Sequence, residues 1–259
     1  MQDHRASGAA SLLMDVRRGA PHLAALPQEL APRNLADAYA IQHEVLRMLG
    51  STVGGWKATL FDAHNGICAP IARNALLPSP ATMASQTLAT LNTARLGLEP
   101  EVAFLLGADL PPRGAAAPYS MEEVCNAVAS AHAVFEIVVT RYLDFNAVSQ
   151  LERVADSYMN EALVIGTPCR EWRALALPEL PLQVQVDDHT VHTGIGGHPL
   201  ANPLLPLHWI ANHLAALGGG LRAGDYVTTG SCNGLRLLEP GHRARATFSG
   251  LGSAEIEFQ

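Results

Sequence analysis

The sequence predicts an α+β fold with an N-terminal helical region, residues 1–50, followed by a region of mostly irregular sheet, residues 51–259. Before Gly50, apolar residues recur at spacings of three and four, which is the period of an amphipathic helix. After Thr52, short β-like runs alternate with loops rich in glycine, proline and asparagine. A chain that switches in this way from helix to strands, with few helices afterwards, is typical of an α+β architecture.

The helical region is best defined between Asn34 and Gly50. Asn34 is a favourable N-cap residue, and Gly50 can end the helix in a left-handed conformation. The apolar residues on the predicted buried side are Leu35, Ala38, Tyr39, Val45, Leu46 and Leu49.

The first strand is predicted over residues 54–60, and a helix interrupts the strands further on. Ser120 and Glu123 have the spacing of a capping box, and Val124, Val128 and Ala131 continue an apolar side after it. This helix is expected to lead into a buried strand over residues 135–141.

The last third of the sequence predicts a hairpin, a helix and three more strands. Residues 182–186 alternate between apolar and polar before a turn at 187–189. Pro206 is expected to open a helix that stops at glycines 218–220, and a strand follows at 226–229. Alternating apolar residues at 244–248 and 254–258 predict the final pair of strands.

Composition excludes several classes of protein. With 259 residues, 48% hydrophobic and 16% charged, the chain can bury a sizeable core, and its net charge of -7 argues against a nucleic-acid surface. The four cysteines form no Cys-x-x-Cys pair, which disfavours a zinc knuckle or a disulfide framework and favours a reducing cytoplasm. The short apolar stretch at residues 8–14 runs into charges, so we expect neither a targeting signal nor a membrane span.

Two glutamates, Glu99 and Glu101, stand one residue apart at the start of an apolar run. On a strand, alternate side chains share a face, so both carboxylates would project together and would need a cation or a proton. Mg²⁺ and Mn²⁺ are the usual cations for such oxygen ligands. The alternative is a pair of solvated carboxylates at the entrance of a strand, which Pro100 permits.

Glu136 is a third informative carboxylate, because it lies between Phe135 and Ile137 in a run without another charge before Arg141. Burying an unpaired carboxylate costs several kcal/mol, so this one needs a partner or a proton. The alternative to a metal is an ion pair with Arg141 or another arginine. Three carboxylates with no histidine nearby favour Mg²⁺ or Mn²⁺ over Zn²⁺.

Lys57 follows a Gly-Gly-Trp bend, so its ammonium can point inward and stabilise an enolate or transfer a proton. A surface lysine packed on Trp56 is the alternative. His64, between Asp62 and Asn65, is a candidate acid or base, or simply a solvated loop residue.

The run from Thr228 through Thr229 and Gly230 to Ser231 ends a predicted strand with hydroxyls and a glycine. Backbone N–H groups and hydroxyls there can hold a carboxylate or carbonyl oxygen of a substrate. An ordinary turn is the alternative.

Several short pieces occur in a specific order along the chain. They are residues 38–42, 55–57, 98–104, 135–137, 155–157, 197–200, 209–212, 221–225 and 229–231. In this order they resemble the fumarylacetoacetate hydrolase superfamily and, within it, the branch of 2-hydroxypenta-2,4-dienoate (2-keto-4-pentenoate) hydratases and 4-oxalocrotonate decarboxylases.

The resemblance implies a mixed, β-roll-like sheet core of the fumarylacetoacetate hydrolase C-terminal type, with residues 51–259 as the catalytic domain. It implies that Glu99, Glu101 and Glu136 hold a divalent metal, Mg²⁺ or Mn²⁺. It also adds Asp156 to Lys57 and His64 as candidate catalytic residues.

The implied activity is that of a metal-dependent lyase. It would add water to a 2-hydroxy-2,4-dienoate, through the 2-oxo-3-enoate tautomer, to give a 4-hydroxy-2-oxo acid in aromatic or steroid catabolism. The alternatives are a decarboxylase of the 4-oxalocrotonate type and a non-catalytic relative that binds a 2-oxo acid. We expect a cytoplasmic homo-oligomer with a small 2-oxo or 2-hydroxydienoic acid as its ligand and without nucleic-acid or membrane partners.

The chain also departs from the pattern of this family. Trp56 replaces the arginine of a Gly-Arg-Lys strand, Val139 and Thr140 replace Asp-Ser before Arg141, and Pro70 lies in a loop that lacks the usual acidic pair. A polar Asp-Asn-Ala-Ser run is Asp-Ser-Tyr-Met here, at residues 156–159. These differences predict an intact metal site within an altered substrate pocket.

Overall fold

The computed structural model describes residues 4–62, 64–84, 95–114 and 116–259. Within these residues the helices are α1 (His4–Arg17), α2 (Leu35–Met48), α3 (Met121–Ala127), α4 (Gln150–Ala155) and α5 (Leu204–Ala216). The strands are β1 (Val53–Leu60), β2 (Gly66–Ala72), β3 (Leu76–Pro78), β4 (Ala81–Met83), β5 (Leu96–Leu106), β6 (Val128–Val138), β7 (Asn160–Ile165), β8 (Pro181–Val186), β9 (His189–Ile195), β10 (Tyr226–Ser231), β11 (Arg236–Leu238), β12 (Arg243–Phe248) and β13 (Gly252–Phe258).

The strands form two mixed sheets, which confirms the predicted α+β class. The larger sheet has the order β2-β1-β10-β5-β6-β7-β3, and β11 pairs with the start of β5. Its β1–β10 and β3–β7 pairs are parallel, and its other pairs are antiparallel. Because β2 also contacts β7, the sheet curls into a roll with an inner and an outer face. The smaller sheet has the order β4-β13-β12-β8-β9.

Alternation along β5 and β6 determines what lies on the inner face of the roll. Glu99 pairs with Glu136 across the two strands, and Glu101 pairs with Val134. Side chains at every second position point the same way, so these residues share one face. Small apolar residues occupy the same face further along, where Ala103 packs with Val134. One end of the inner face is therefore acidic and the other end is apolar.

The outer face of the roll supports the main hydrophobic core. Phe104 and Phe135 are buried there with apolar residues of α5 and of the smaller sheet, including Leu207 and Phe248. The ring of Phe104 meets that of Trp172 edge to face at 5.5 Å. This core fixes the curvature of the roll, because β5 and β6 each bury a full row of side chains on that side.

The N-terminal helices pack on the roll through a second core, which they share with Ile67 and with α4. Asn34 caps α2 by accepting from the backbone N–H of Asp37, as the sequence predicts. Gln42 of α2 donates to the carbonyl oxygen of Val154 at 2.6 Å, which ties α2 to α4. This second core contains residues from both sides of residue 50. The division of the chain into two regions at that residue therefore stays a prediction. Among the described residues, no helix is long and apolar enough to cross a membrane.

Two predicted helix boundaries are wrong. The capping box at Ser120 and Glu123 is present, but α3 ends at Ala127 and the chain continues directly as β6. Val128 and Ala131 pair with β5 instead of extending the helix, because strand pairing over the whole length of β5 outweighs the local helical spacing. Helix α5 begins at Leu204, so Pro206 lies within its first turn, where its missing N–H removes no intrahelical bond.

A strained turn connects α4 to β7. Ser157, Tyr158 and Met159 have φ values of 51°, 49° and 70°, so three consecutive residues other than glycine are left-handed. Each such residue costs roughly 1–2 kcal/mol, and the surrounding contacts must hold the turn in place.

Arg141 supplies those contacts from within the core, where it is 1% exposed. Its Nε donates to the carboxylate of Asp156, and its backbone N–H donates to the other carboxylate oxygen at 3.0 Å. Its Nη2 donates to the carbonyl oxygens of Asp156 and Asn160, at 3.0 and 3.3 Å. Arg141 therefore holds both ends of the left-handed turn.

We expect Arg141→Met to lower the free energy of unfolding by about 3–5 kcal/mol, because it leaves Asp156 buried without its cation. Arg245→Met is the matched control. It breaks the half-exposed pair with Glu255 on the smaller sheet and should have a much smaller effect. Urea denaturation of both variants measures the difference. Equal losses of stability would show that the Arg141 clamp is not a principal support of the fold.

Candidate metal centre

Three carboxylates lie together at the acidic end of the inner face. Glu99 and Glu101 come from β5 and Glu136 from β6, and one oxygen of each lies within 4.8 Å of the others. Glu101 and Glu136 are fully buried, whereas the side chain of Glu99 is 18% exposed. The pairing of β5 with β6 thus brings together the three glutamates singled out in the sequence.

Glu101 has one oxygen bonded and one free. Its Oε2 accepts from the hydroxyl of Thr228 and from the backbone N–H of Gly230, the latter at 2.8 Å. Its Oε1 is buried and has no hydrogen-bond partner among the described residues. Burying a carboxylate oxygen without a hydrogen-bond partner costs free energy. This geometry therefore suits an oxygen atom that binds a cation.

Glu136 and Glu99 face the ammonium of Lys57. Glu136 Oε2 lies 2.8 Å from Lys57 Nζ, and its Oε1 accepts from Asn160 Nδ2 at 2.7 Å. Glu99 Oε2 lies 3.9 Å from the same Nζ. The partner of Glu136 is therefore Lys57, whereas Arg141 is paired with Asp156.

The charges in this cluster do not balance without a further cation or protons. Three ionised carboxylates and one ammonium leave two negative charges in a buried site. Burial, together with the charges of Glu136 and Glu99, raises the pKa of Glu101 to about 8. Burial also raises the pKa of Glu99. A divalent ion matches the excess charge, and a donor set made only of oxygens suits Mg²⁺ or Mn²⁺.

Lys57 is the single lysine of the sequence, beside sixteen arginines. It is 4% exposed, and Nζ donates to the carbonyl oxygen of Tyr158 at 3.1 Å. Burial alone would lower its pKa, but the charges of Glu136, Glu99 and Glu101 raise it. A compact ammonium with three rotatable donors fits between two carboxylates and a carbonyl oxygen, whereas a planar guanidinium does not have this geometry.

The other two candidate catalytic residues lie apart from the glutamates. The carboxylate of Asp156 is occupied by Arg141, so it supports the left-handed turn. His64 is exposed on the turn between β1 and β2, beside a cavity of about 300 Å³ that is also lined by His208 and Trp209 of α5. The glutamates do not line that cavity.

Of the three candidate substrate-binding residues, Gly230 contacts the centre, through its backbone N–H. The hydroxyl of Thr229 donates to the carbonyl oxygen of Val102, away from Glu101, and that of Ser231 donates to the carbonyl oxygen of Gly234. Alternation along β10 explains why the hydroxyl of Thr228 bonds Glu101 and that of Thr229 does not. The backbone N–H of Gly230 bonds Glu101 where the register of β10 against β5 shifts, between Thr228 and Ser231.

The structure adds Asn160 and the carbonyl group of Tyr158 to the candidates, and it shows that Thr228, which begins the predicted run, bonds the centre in place of Thr229. Thr228 could have been chosen over Thr229 by applying strand alternation to β10. The uniqueness of Lys57 is a compositional signal that marks the site from the sequence alone. Asn160 and the carbonyl group of Tyr158 have no such signal, because a turn with unusual dihedral angles presents them.

Comparison with known proteins gives a consistent result. The sequence profile of the fumarylacetoacetate (FAA) hydrolase C-terminal family matches residues 67–259. The chain is 28% identical to a 2-keto-4-pentenoate hydratase of Paraburkholderia xenovorans (strain LB400), over 98% of this chain and 95% of that protein. It is 29% identical to a 2-hydroxyhexa-2,4-dienoate hydratase of Comamonas testosteroni, over 62% of this chain and 59% of that protein.

A solved structure shares the whole fold. It is the 4-oxalocrotonate decarboxylase from Pseudomonas putida G7, complexed with magnesium and adipate, and it superimposes with a TM-score of 0.85 at 20% identity. The match covers 100% of this chain and 99% of that one. The N-terminal helices and both sheets therefore belong to one known architecture.

We expect Mg²⁺ affinity to rise with pH up to about pH 8. The pKa of Glu101 is raised from 4.5 to about 8, so between these values the folded protein without metal holds a proton that the unfolded chain has lost. Stability from this proton is therefore full below about pH 4.5 and is lost as pH rises towards 8. A metal must displace the proton, which predicts up to about tenfold tighter binding per pH unit.

Isothermal titration with Mg²⁺ at several pH values between about 6 and 8 measures this dependence. Glu101→Gln should weaken binding and reduce the pH dependence, whereas Glu257→Gln, at an exposed position on β13, should change neither. Affinity that is independent of pH, or unaffected by Glu101→Gln, would contradict a metal centre at these residues.

Proposed function

The chain belongs to the fumarylacetoacetate (FAA) hydrolase C-terminal family, and on this premise we propose that it is a divalent-metal-dependent hydro-lyase acting on a 2-hydroxy-2,4-dienoate. The observation that carries the proposal is the buried group of three glutamates, Glu99, Glu101 and Glu136, around the single lysine. Relatives named as hydratases, one of them matched over nearly its full length, support this choice of reaction.

In the proposed reaction, the proton of the 2-hydroxyl group is lost and C5 gains a proton, which gives the 2-oxo-3-enoate. Water then adds across the C3–C4 double bond, with oxygen on C4 and hydrogen on C3. The product is a 4-hydroxy-2-oxo acid. Both stages pass through an electron-rich oxygen at C2, so the site must stabilise negative charge there.

Glu99, Glu101 and Glu136 would hold the metal, which supplies Lewis acidity and orients a 2-oxo acid. Thr228 and Gly230 fix the Oε2 of Glu101, so its Oε1 is directed without reorganisation. Asn160 likewise fixes the Oε1 of Glu136 by a hydrogen bond from its Nδ2. The hydrogen bonds around the glutamates thus preorganise the donor set before any ligand arrives.

Lys57 is placed to act on the substrate with one N–H group. Its ammonium has three donors, of which one faces Glu136 and a second bonds the carbonyl oxygen of Tyr158. Glu99 at 3.9 Å is beyond hydrogen-bond distance, so the third N–H can reach a substrate oxygen. Because neighbouring carboxylates raise its pKa, Lys57 stays a cation and stabilises the oxygen at C2 through its charge and its N–H group.

The fold of the 4-oxalocrotonate decarboxylase, which matches at a TM-score of 0.85, makes decarboxylation the second candidate. That reaction would use the same stabilised oxygen at C2 after loss of CO₂. A non-catalytic relative would bind a 2-oxo acid without converting it. The three outcomes differ in whether a substrate is converted and in the product formed, so activity and binding measurements together separate them.

Cytoplasmic location and homo-oligomerisation stay predictions within this proposal. All four cysteines are free, which suits a reducing compartment. Exposed leucines, such as Leu235 at 50% and Leu237 at 53% exposure beside β5, offer apolar surface for contact between subunits.

We expect purified protein with Mg²⁺ or Mn²⁺ to remove the ultraviolet absorbance of a 2-hydroxydienoate with formation of a 4-hydroxy-2-oxo acid. Chelation of the metal should abolish this turnover. Release of CO₂ from 4-oxalocrotonate would instead favour the decarboxylase. Binding of oxalate by folded protein, with no conversion of either substrate, would favour the non-catalytic relative.

We expect Lys57→Met to lower kcat by about 10²–10⁴-fold, because it removes the donor at the C2 oxygen. Lys57→Arg should not restore activity, since a guanidinium cannot adopt the same contacts. Mg²⁺ should still bind both variants, and Arg222→Met, at an exposed position, should retain full activity. Undiminished turnover by Lys57→Met would exclude a catalytic role for this residue.

A further inference from the structure

The end of the first helix reaches the strand that supports the candidate metal centre. Arg17 is the last residue of α1, and its side chain is 10% exposed. Its Nη1 is paired with the carboxylate of Glu161, and its Nη2 donates to the carbonyl oxygen of Asn160 at 3.3 Å. Asn160 in turn donates from Nδ2 to Glu136 Oε1 at 2.7 Å. A chain of direct contacts thus leads from α1 to one of the three glutamates.

Strand pairing alone does not fix Asn160. Strands β6 and β7 pair regularly as far as Ile137 with Ala162, but the next pair is Val138 with Asn160, so Glu161 is an extra residue on β7. Such a bulge bends the strand and redirects the side chains beside it. Asn160 also follows the left-handed turn directly. Its orientation therefore depends on contacts from outside the sheet.

Two guanidinium groups meet at the carbonyl oxygen of Asn160. Arg141 donates to it from Nη2 at 3.3 Å, the same distance as Arg17. Arg141 Nη1 also lies 3.0 Å from the carboxylate of Glu161. Two arginines are therefore matched by two carboxylates, those of Glu161 and Asp156. Because these charges balance, the group acts on the metal centre through its geometry and contributes little net field there.

Arg17 occupies this position at a cost in free energy. Its guanidinium is taken out of water, and its Nε is buried without a hydrogen-bond partner among the described residues. Replacing a buried ion pair by apolar residues is often neutral or stabilising, so stability alone does not account for an arginine here. What an apolar residue could not supply is the pair of contacts with Glu161 and with the carbonyl oxygen of Asn160.

We propose that Arg17 is a positioning residue of the metal centre. By holding the carbonyl oxygen of Asn160, it fixes the backbone at the bulge, so that Asn160 keeps Glu136 in the orientation that binds a divalent cation. Helix α1 then takes part in the metal centre as well as in the second core. This role rests on the proposed function, because that function assigns the cation to Glu99, Glu101 and Glu136.

A double-mutant cycle, with Mg²⁺ affinity measured by isothermal titration, tests this role. Arg17→Met should weaken Mg²⁺ binding by about three- to tenfold, and Asn160→Ala by about tenfold or more. In the double variant, Arg17→Met should add nothing to the effect of Asn160→Ala, because Arg17 acts through that residue. Arg18→Met is the matched control. Arg18 is the next residue in the chain, its side chain is 64% exposed, and its loss should leave Mg²⁺ affinity unchanged.

Arg17→Lys separates the geometry of the side chain from its charge. It keeps a cation beside Glu161, but one nitrogen cannot bond that carboxylate and the carbonyl oxygen of Asn160 as two guanidinium nitrogens do. It should therefore weaken Mg²⁺ binding by about as much as Arg17→Met. A cavity of about 260 Å³, lined by Arg17, Asn160 and Glu161, leaves room for either side chain. Both variants should fold, and urea denaturation checks this.

Wild-type Mg²⁺ affinity in either Arg17→Met or Arg17→Lys would overturn the role of Arg17. An effect of Arg17→Met that persists in full beside Asn160→Ala would also overturn it, and in both cases the metal centre itself stands. If the cycle gives the expected result but the wild type hydrates no dienoate, the role of Arg17 stands and the proposed activity fails. If the wild type binds no Mg²⁺, both are overturned.

Discussion

The repulsion between three buried carboxylates is the constraint on which the rest of the structure depends. Glu99, Glu101 and Glu136 lie side by side because β5 and β6 pair in register, and within the described part of the chain the ammonium of Lys57 is the one cation paired with them. A fold that merely needed stability would replace such a group with apolar residues, since burying charge is costly even when it is paired. A divalent ion held by these glutamates, as we propose, would convert this repulsion into binding energy.

Much of the surrounding structure serves to hold those carboxylates in fixed orientations. Thr228 bonds Glu101, and Asn160 bonds Glu136. Lys57 pairs with Glu136 and lies near Glu99. Asn160 lies directly after the left-handed turn, whose ends are held by Arg141. The predicted catalytic residue Asp156 is part of that support. A residue far from the chemistry can therefore influence it, because the centre and the strained turn share hydrogen bonds.

The sequence predicted the class of fold, the N-terminal helices and the members of the acidic cluster, because these depend on periodicity and on residue type. It failed where tertiary contacts decide the outcome. Val128 and Ala131 satisfy a helical spacing, yet strand pairing places them in β6. Tyr158 could not be located because its backbone conformation is unfavourable for a bulky residue and is imposed by a distant arginine. Local propensity carries no information about such a clamp.

Anomalous diffraction from a crystal soaked in Mn²⁺ would show whether the three glutamates hold a metal. We expect one strong peak bounded by Glu99, Glu101 and Glu136, with the free Oε1 of Glu101 among its ligands and Lys57 still paired with Glu136. A well-ordered crystal with no peak there, or with manganese bound only elsewhere, would contradict the claim that these carboxylates form a metal centre.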